Sequence, residues 1–149
     1  MPGHDRSVGR SLGPSTDGEK NGSKYGTGFT VSIEASVGIS SGVSAMDRTT
    51  TVRAAVAPTA EATDLVRPGH IFPLRCHPDG LHGRKGHTEA TIELMRLAGL
   101  REVGVLCEVT NPDGTMAVGS ELVRSAEQNG LAILSIADLV SVLAARTTG

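Results

Sequence analysis

The sequence predicts an α+β fold, a mixed sheet with flanking helices, because strand-like and helix-like segments alternate from residue 28 onwards. Turn signals rich in Gly, Pro, Asn and Asp separate these segments. The chain has 149 residues, which suits one domain. It contains no Trp, one Tyr and two Phe, so aliphatic side chains and Met must form the core.

Three segments are predicted as strands. Residues 29–35 alternate apolar with polar side chains, as a half-buried strand does. Residues 103–109 are more continuously apolar and predict a second, more fully buried strand, and residues 131–134 predict a third. Between the first and second strands, residues 64–86 are predicted as loop and short strand, because turn signals flank the short apolar piece at 71–74.

Four helices are predicted from their start and stop signals. The pattern Ser44 to Asp47 has the form of a capping box and opens a helix that Pro58 stops. The second helix starts near His87 and ends at Gly99. The third is capped by Ser120 and ends at Asn129-Gly130, and the last runs from a second capping box at Ser135–Asp138 to about Ala145.

Composition limits the partners that the chain can have. It carries 14 basic and 16 acidic residues, so neither nucleic acid nor an acidic membrane surface is expected as a partner. No apolar run is long enough for a membrane span or a signal peptide, which predicts a cytoplasmic protein. The two cysteines, Cys76 and Cys107, are expected to be buried free thiols. Residues 1–27 are too polar to pack and are predicted to be a disordered or unrelated tail.

The stretch from Arg84 to Glu89 is the most informative local pattern. Two cations, Arg84 and Lys85, precede Gly86 at a predicted helix start, where backbone N–H groups can bind phosphate. His87 could then ligate a divalent metal or act as an acid or base. The structural alternative is that Thr88 merely caps the helix and the cations are solvated.

Three further residues have both functional and structural interpretations. His70 follows a glycine in a predicted loop, where it could transfer protons or could simply be exposed. Glu108 lies at the end of an apolar strand, which suits a catalytic carboxylate or one that turns into solvent. Asp47 needs no function, because helix capping explains it.

Six segments together resemble the successive signature blocks of the 3,4-dihydroxy-2-butanone 4-phosphate synthase family, in the family's order and spacing, over about residues 26–145. Residues 28–145 therefore resemble the C-terminal part of that domain, followed by a short tail at 146–149. The six segments are Phe29–Ala35, Gly42–Arg48, Arg67–Arg75, Gly86–Ala90, Gly104–Glu108 and Asn111–Ala117.

The resemblance implies a lyase of riboflavin biosynthesis, usually a homodimer, that converts ribulose 5-phosphate into formate and 3,4-dihydroxy-2-butanone 4-phosphate. It implies Mg²⁺, or Mn²⁺, as cofactor, with His87 as a metal ligand. Its substrate-binding stretch matches Arg84, Lys85, Gly86, His87 and Thr88, with Glu108 also at the substrate, and the residues it needs for proton transfer match His70 and Glu108.

The sequence departs from the family in three respects. Nothing in residues 1–27 corresponds to the acidic loop that supplies the family's other metal ligand, and no GTP cyclohydrolase II domain follows. Ser40 and Ser41 stand where the family usually has two threonines. The first prediction is a truncated or split synthase. The alternative is a non-catalytic paralogue that binds a sugar phosphate or pairs with a full-length synthase.

Overall fold

The computed structural model describes residues 22–147, and the chain divides into two compact units, Met1–Cys76 and His77–Gly149. In the first unit the elements are β1 (Gly28–Phe29), β2 (Ile33–Ala35), α1 (Ala45–Val56), a 3₁₀ turn (Ala62–Asp64), β3 (Leu65–Ile71) and β4 (Leu74–Arg75). In the second they are α2 (Gly80–Gly83), α3 (His87–Leu97), α4 (Ser120–Asn129) and α5 (Ile136–Thr147).

The strands of the first unit form two antiparallel pairs. β1 pairs with β4, and β2 pairs with β3, with an irregular register between Ile33 and Glu34. The single strand predicted over residues 29–35 is therefore two strands. The break has a cause, since Thr30 donates its N–H to the carbonyl of Pro73 and Ser32 accepts the N–H of Gly69, which draws residues 30–32 out of a regular ladder.

Helix α1 packs against the β2–β3 pair through a buried hydroxyl. Thr51 accepts the backbone N–H of Ala35 in β2 at 3.1 Å, and its side chain is almost completely buried. The predicted start is confirmed, because Ser44 is the N-cap and accepts the N–H of Asp47 at 3.1 Å. The helix ends just before Pro58, as predicted.

The second unit is built on helices. Leu81, Ala90 and Leu139 form its buried cluster, and α3 and α5 supply most of the apolar side chains around it. The predicted ends of α3 and α4 are confirmed, since Gly99 and Gly130 both adopt the left-handed conformation that closes a helix. Ser120 is not the cap of α4, because that position belongs to Gly119 and Ser120 is the first helical residue.

Two of the predicted strands are wrong. Residues 103–109 and 131–134 have no regular secondary structure, and most of their apolar side chains are exposed, with Val105 at 70% and Ile133 at 59%. An apolar extended segment becomes a buried strand only where neighbouring strands accept its backbone bonds. Within residues 22–147 neither segment joins a sheet, although the carbonyl of Val109 accepts the backbone N–H of Ala117 at 3.0 Å. The α+β class itself is confirmed.

The exposure of the two cysteines depends in part on the absence of the predicted strand at residues 103–109. Neither Cys76 nor Cys107 forms a disulfide bond, as predicted, and Cys76 is partly buried. Cys107 is exposed, which contradicts its predicted burial, because it lies in the unpaired segment 103–109.

Among residues 22–147, no helix has the length and apolar character that a membrane crossing needs. Most of the tail predicted at residues 1–27 lies outside the described residues, and α5 continues past its predicted end to Thr147.

Candidate functional site

His70 is held by a carboxylate on the neighbouring strand. It lies in β3, and its ring Nδ1 is 2.6 Å from Oε1 of Glu34 in β2. The Glu34 side chain is 14% exposed, whereas that of His70 is 43% exposed. The antiparallel β2–β3 pairing brings the two residues together across 36 positions of sequence. The imidazole is thus anchored on one side and open to solvent on the other.

Arg48, in α1, fixes the backbone at His70. Its guanidinium donates from Nη1 to the carbonyl of His70 and from Nε to the carbonyl of Val43, both at 2.9 Å. A guanidinium with two donors in a fixed geometry is well suited to join two separate backbone segments. It therefore joins the end of β3 to the loop that precedes α1.

Asp47 organises that loop instead of serving only as a helix-start residue. Its carboxylate accepts the N–H of Ser40 at 3.1 Å, the hydroxyl of Ser40 at 2.9 Å and the N–H of Gly42 at 3.0 Å. The hydrogen bond from the backbone of Ser40, followed by the one from its hydroxyl, lowers the pKa of the Asp47 carboxyl. The interpretation of Asp47 as a cap residue was therefore incomplete.

Gly42 lies directly against the Glu34–His70 pair. A Cβ at this position would overlap Oε1 of Glu34 and come within 2.7 Å of Nδ1 of His70. Its φ of 79° is also one that residues with a side chain rarely adopt. The Asp47 hydrogen bonds hold Gly42 in this place, so the loop, the carboxylate and the imidazole form one network.

In the second unit, Arg84 is paired with a buried carboxylate. Its Nη1 is 2.7 Å from Oε2 of Glu89, whose side chain is 1% exposed, and the other carboxylate oxygen accepts the N–H of His77 at 2.9 Å. Burial raises the pKa of Glu89, but the hydrogen bonds from His77 and Arg84 outweigh it and hold this pKa below its ordinary value. Gly86 allows the approach, because a Cβ there would overlap the Arg84 guanidinium.

The remaining residues of the predicted binding stretch lie at the start of α3. Lys85 and His87 are exposed, and Thr88 is partly buried. Gly86 is the N-cap, so the alternative in which Thr88 caps the helix is wrong. Within residues 22–147, the backbone N–H groups of His87 and Thr88 have no hydrogen-bond acceptor. Such groups, with a nearby cation, attract an anion.

Glu108 has a different setting. It lies in the exposed, unpaired segment 103–109, and its carboxylate has no hydrogen-bond or ionic partner among the described residues. His70 belongs to the first unit and Glu108 to the second. Of the two residues predicted to transfer protons, His70 is therefore oriented by a hydrogen bond from another strand, whereas Glu108 has no such contact among the described residues.

The described residues do not by themselves suit a bound divalent cation. Among residues 22–147 there is no group of three or more His, Cys, Asp or Glu side chains that could hold a metal ion. His87 stands at the start of α3, and the Glu89 carboxylate in the same turn is already engaged by Arg84 and His77. Mg²⁺ prefers carboxylate and water oxygens, so an imidazole alone is a poor site for it.

Comparison with known proteins places these features in a family. A family model described as 3,4-dihydroxy-2-butanone 4-phosphate synthase matches residues 7–142. The chain belongs to this family. The synthase of Rhodospirillum rubrum is 65% identical over 91 residues, which are 61% of this chain and 42% of that protein. The synthase of Vibrio atlanticus is 55% identical over 97 residues, which are 65% of this chain and 44% of that protein.

Solved synthase structures agree with the fold. That of the Candida albicans synthase superimposes with a TM-score of 0.80 at 33% identity, covering 93% of this chain and 68% of the other. A synthase in complex with two magnesium ions gives 0.79 at 33% identity, with 93% and 69% covered. This synthase-family chain spans less than half the length of the curated relatives given above.

For this synthase-family chain, sequence reasoning missed three carboxylates that the structure makes central. The strand pattern identifies Glu34 only as a polar position, and the helix-start pattern includes Glu89 without a role of its own. Asp47 was given a capping role. Each of these carboxylates lies beside apolar residues in the sequence, and this pattern could have predicted that each needs a hydrogen-bonding or ionic partner when it is buried. The identity of that partner depends on which segments pair, and the sequence does not give this directly.

Proposed function

We propose that this chain carries part of the active site of a 3,4-dihydroxy-2-butanone 4-phosphate synthase, which converts ribulose 5-phosphate into formate and 3,4-dihydroxy-2-butanone 4-phosphate for riboflavin biosynthesis. One observation carries the proposal. In a chain of this family, the predicted proton-transfer histidine, His70, is held by Glu34 at 2.6 Å and stays partly open to solvent. A purely structural histidine would not need an anchored, accessible ring.

The phosphate of the substrate would bind at the start of α3. Arg84 and Lys85 supply positive charge, and the N–H groups of His87 and Thr88 have no acceptor within the described residues. Glu89 fixes the Arg84 guanidinium, which reduces the conformational entropy that binding would cost. These features support a phosphate monoester as the ligand of this stretch, with Gly86 giving the backbone close approach.

His70 and Glu108 are proposed as the proton-transfer groups. His70 is anchored in the first unit by the Glu34 carboxylate, and an imidazole held at one nitrogen and open at the other has the geometry that general acid–base catalysis requires. Glu108 has a free carboxylate on a segment without regular secondary structure, so it has no competing partner among the described residues. It would gain a defined orientation only when that segment is paired.

Mg²⁺, or Mn²⁺, is proposed as the cofactor of the complete site, with His87 as the ligand that this chain contributes. The described residues are insufficient for the ion, so the carboxylate ligands would come from the part of the domain that the relatives have and this chain does not match. A magnesium-bound synthase is among the similar structures. We also propose a homodimer in the cytoplasm that binds neither nucleic acid nor membrane.

A second function is favoured by a specific observation. The chain has too few metal ligands within residues 22–147, and Glu108 lies on an unpaired segment. Both fit a non-catalytic paralogue that binds a sugar phosphate through Arg84 and the start of α3. This protein could also pair with a full-length synthase, whose strands would cover residues 103–109 and 131–134.

Purification of the 149-residue chain and an assay of formate release from ribulose 5-phosphate with Mg²⁺ separate the two functions. The part of the Rhodospirillum rubrum synthase that this chain does not match is then added as a separate polypeptide. We expect no turnover from the chain alone and measurable turnover after the addition.

Each result has a definite meaning. Turnover by the chain alone would overturn the proposal that its metal site must be completed from outside. A folded chain that stays inactive after the addition, yet binds the sugar phosphate, would identify the non-catalytic paralogue. A Lys85→Ala variant of the chain serves as the binding control, because Lys85 is exposed, and a loss of sugar phosphate affinity in a variant that stays folded would assign the binding to the start of α3.

A further inference from the structure

We propose that Glu34 is the positioning residue of His70, setting which ring nitrogen carries the proton and how the ring is oriented. The proposal rests on the proposed function for the role of His70. The carboxylate and the imidazole approach within 2.6 Å, which is a short distance for a hydrogen bond between a nitrogen and an oxygen. Glu34 acts through His70 and is not assigned a contact with substrate.

The chemistry of the pair determines the tautomer. An ionised carboxylate can only accept hydrogen bonds, so Nδ1 of His70 must carry the proton that lies between them. Neutral imidazole has one protonated nitrogen, which leaves Nε2 as the basic atom. Nε2 has no partner within residues 22–147, so this is the nitrogen that can exchange a proton with a substrate.

Glu34 is itself held in place from several directions. It lies in β2, paired with Val66 of β3, and its side chain is largely buried. Gly42, held by the Asp47 hydrogen bonds, lies against the carboxylate and leaves no room for a side chain there. Arg48 holds the carbonyl of His70 from the opposite element, α1. A carboxylate supported in this way can orient the ring, as a freely rotating surface side chain cannot.

Stability alone gives a weak reason for this arrangement. The imidazole is 43% exposed, and ion pairs with an exposed partner contribute little to folding. A partly buried carboxylate beside an open imidazole is better explained by orientation of the ring, since a carboxylate on one nitrogen of a histidine selects its tautomer and raises its effectiveness as a base.

The first test reads the tautomer directly by ¹⁵N NMR of the histidine rings in the purified chain at alkaline pH, without substrate. We expect His70 to be protonated at Nδ1 in the parent chain and in Glu34→Asp. In Glu34→Ala and in the isosteric Glu34→Gln we expect this preference to be lost. Glu127→Gln, a change at an exposed position of α4, is the matched control and should leave the His70 signals unchanged.

The second test measures turnover after the unmatched part of the relative has been added. We expect Glu34→Ala and Glu34→Gln to lower kcat by roughly 10- to 100-fold with little change in KM, the usual effect of removing an orienting partner. Glu34→Asp should recover part of the rate, because it restores a carboxylate. A merely structural role would instead lower the amount of folded protein and leave kcat per folded molecule unchanged.

The two tests fail separately. A parent chain with His70 protonated at Nε2, or a tautomer that Glu34→Gln does not alter, would overturn the positioning role whatever the activity. An altered tautomer with an unchanged kcat would also overturn it. If the parent mixture does not turn over at all, the proposed function fails, and the tautomer measurement alone then decides whether Glu34 sets the protonation of His70. Should Glu34→Ala not fold, Glu34→Gln supplies the same comparison.

Discussion

The two units differ in whether their strand-like segments are paired. In the first, β2 and β3 pair with a break in register between Ile33 and Glu34, α1 packs against them, and Glu34 lies against His70. In the second, residues 103–109 and 131–134 are apolar, yet neither pairs with another strand in the described part of the chain. The helices of this unit nevertheless form and enclose their own small cluster.

This difference separates two kinds of functional residue. The side chain and backbone of His70 are held by Glu34 and Arg48, which belong to the same unit. Glu108 has no such contacts among the described residues, so its orientation depends on whatever strand pairs with residues 103–109. The share of the relatives that this chain spans agrees with such a division, since more than half of each curated relative lies outside the match.

The largest effect should come from the proton-transfer residues in the completed assay. His70→Ala and Glu108→Gln should each lower kcat by about 10²- to 10⁴-fold, with a smaller change in KM, because groups that move protons act mainly in the transition state. His82→Ala, an exposed histidine in α2, is the control. Variants that raise KM and leave kcat unchanged would show that the assigned roles are wrong.

Next in size is the buried pair of the second unit. Arg84→Met should lower the free energy of unfolding by about 3–5 kcal/mol, because it leaves the Glu89 carboxylate buried without its cation. Arg96→Met is the matched control in the same unit, because Arg96 pairs with Glu93 and Glu102 but is 44% exposed. That change should cost about 0–1 kcal/mol. Equal losses in urea unfolding would contradict the distinction.

Hydrogen exchange tests the comparison of the units directly. Backbone amides of residues 33–35, 65–66 and 71 should exchange more slowly than those of residues 104–108 and 132–134, by on the order of 100-fold or more, because only the former lie at paired positions of strands. When the unmatched part of the Rhodospirillum rubrum synthase is added, the second set should become protected. Protection of residues 104–108 in the chain alone would mean that the segment is already paired.

The smallest effect concerns acid stability of the first unit. The pKa of Asp47 is lowered on folding, so its contribution to stability is present above the ordinary value of 3.8 and is lost as the pH falls through the lower folded value. Asp47→Asn should therefore destabilise the chain at neutral pH, and the difference from the parent should shrink in acid. Unfolding in urea over a pH series measures this, and Asp79→Asn, at an exposed carboxylate, controls for net charge.

Local signals in the sequence were sufficient for most ends of the longer helices, but not for the start of α4 or for the short helix α2. Ser44, Pro58, Gly99 and Gly130 each act on backbone groups within a few residues, and all four mark helix ends in the structure as predicted. The class of the fold and the family followed from the same kind of ordered local pattern. The candidate residues Arg84 and His70 were found in this way, although the sequence did not show that each is paired with a carboxylate.

What the sequence by itself determined about this protein is therefore the α+β class, most ends of the longer helices and the family. These depend on periodicity, capping and ordered motifs, whose physical effects act over a few residues. Only the tertiary structure decided that Glu34 orients towards His70 across 36 positions and that residues 103–109 remain unpaired. Both depend on which distant segments supply backbone partners, and an apolar extended segment has the same sequence pattern whether or not it has such partners.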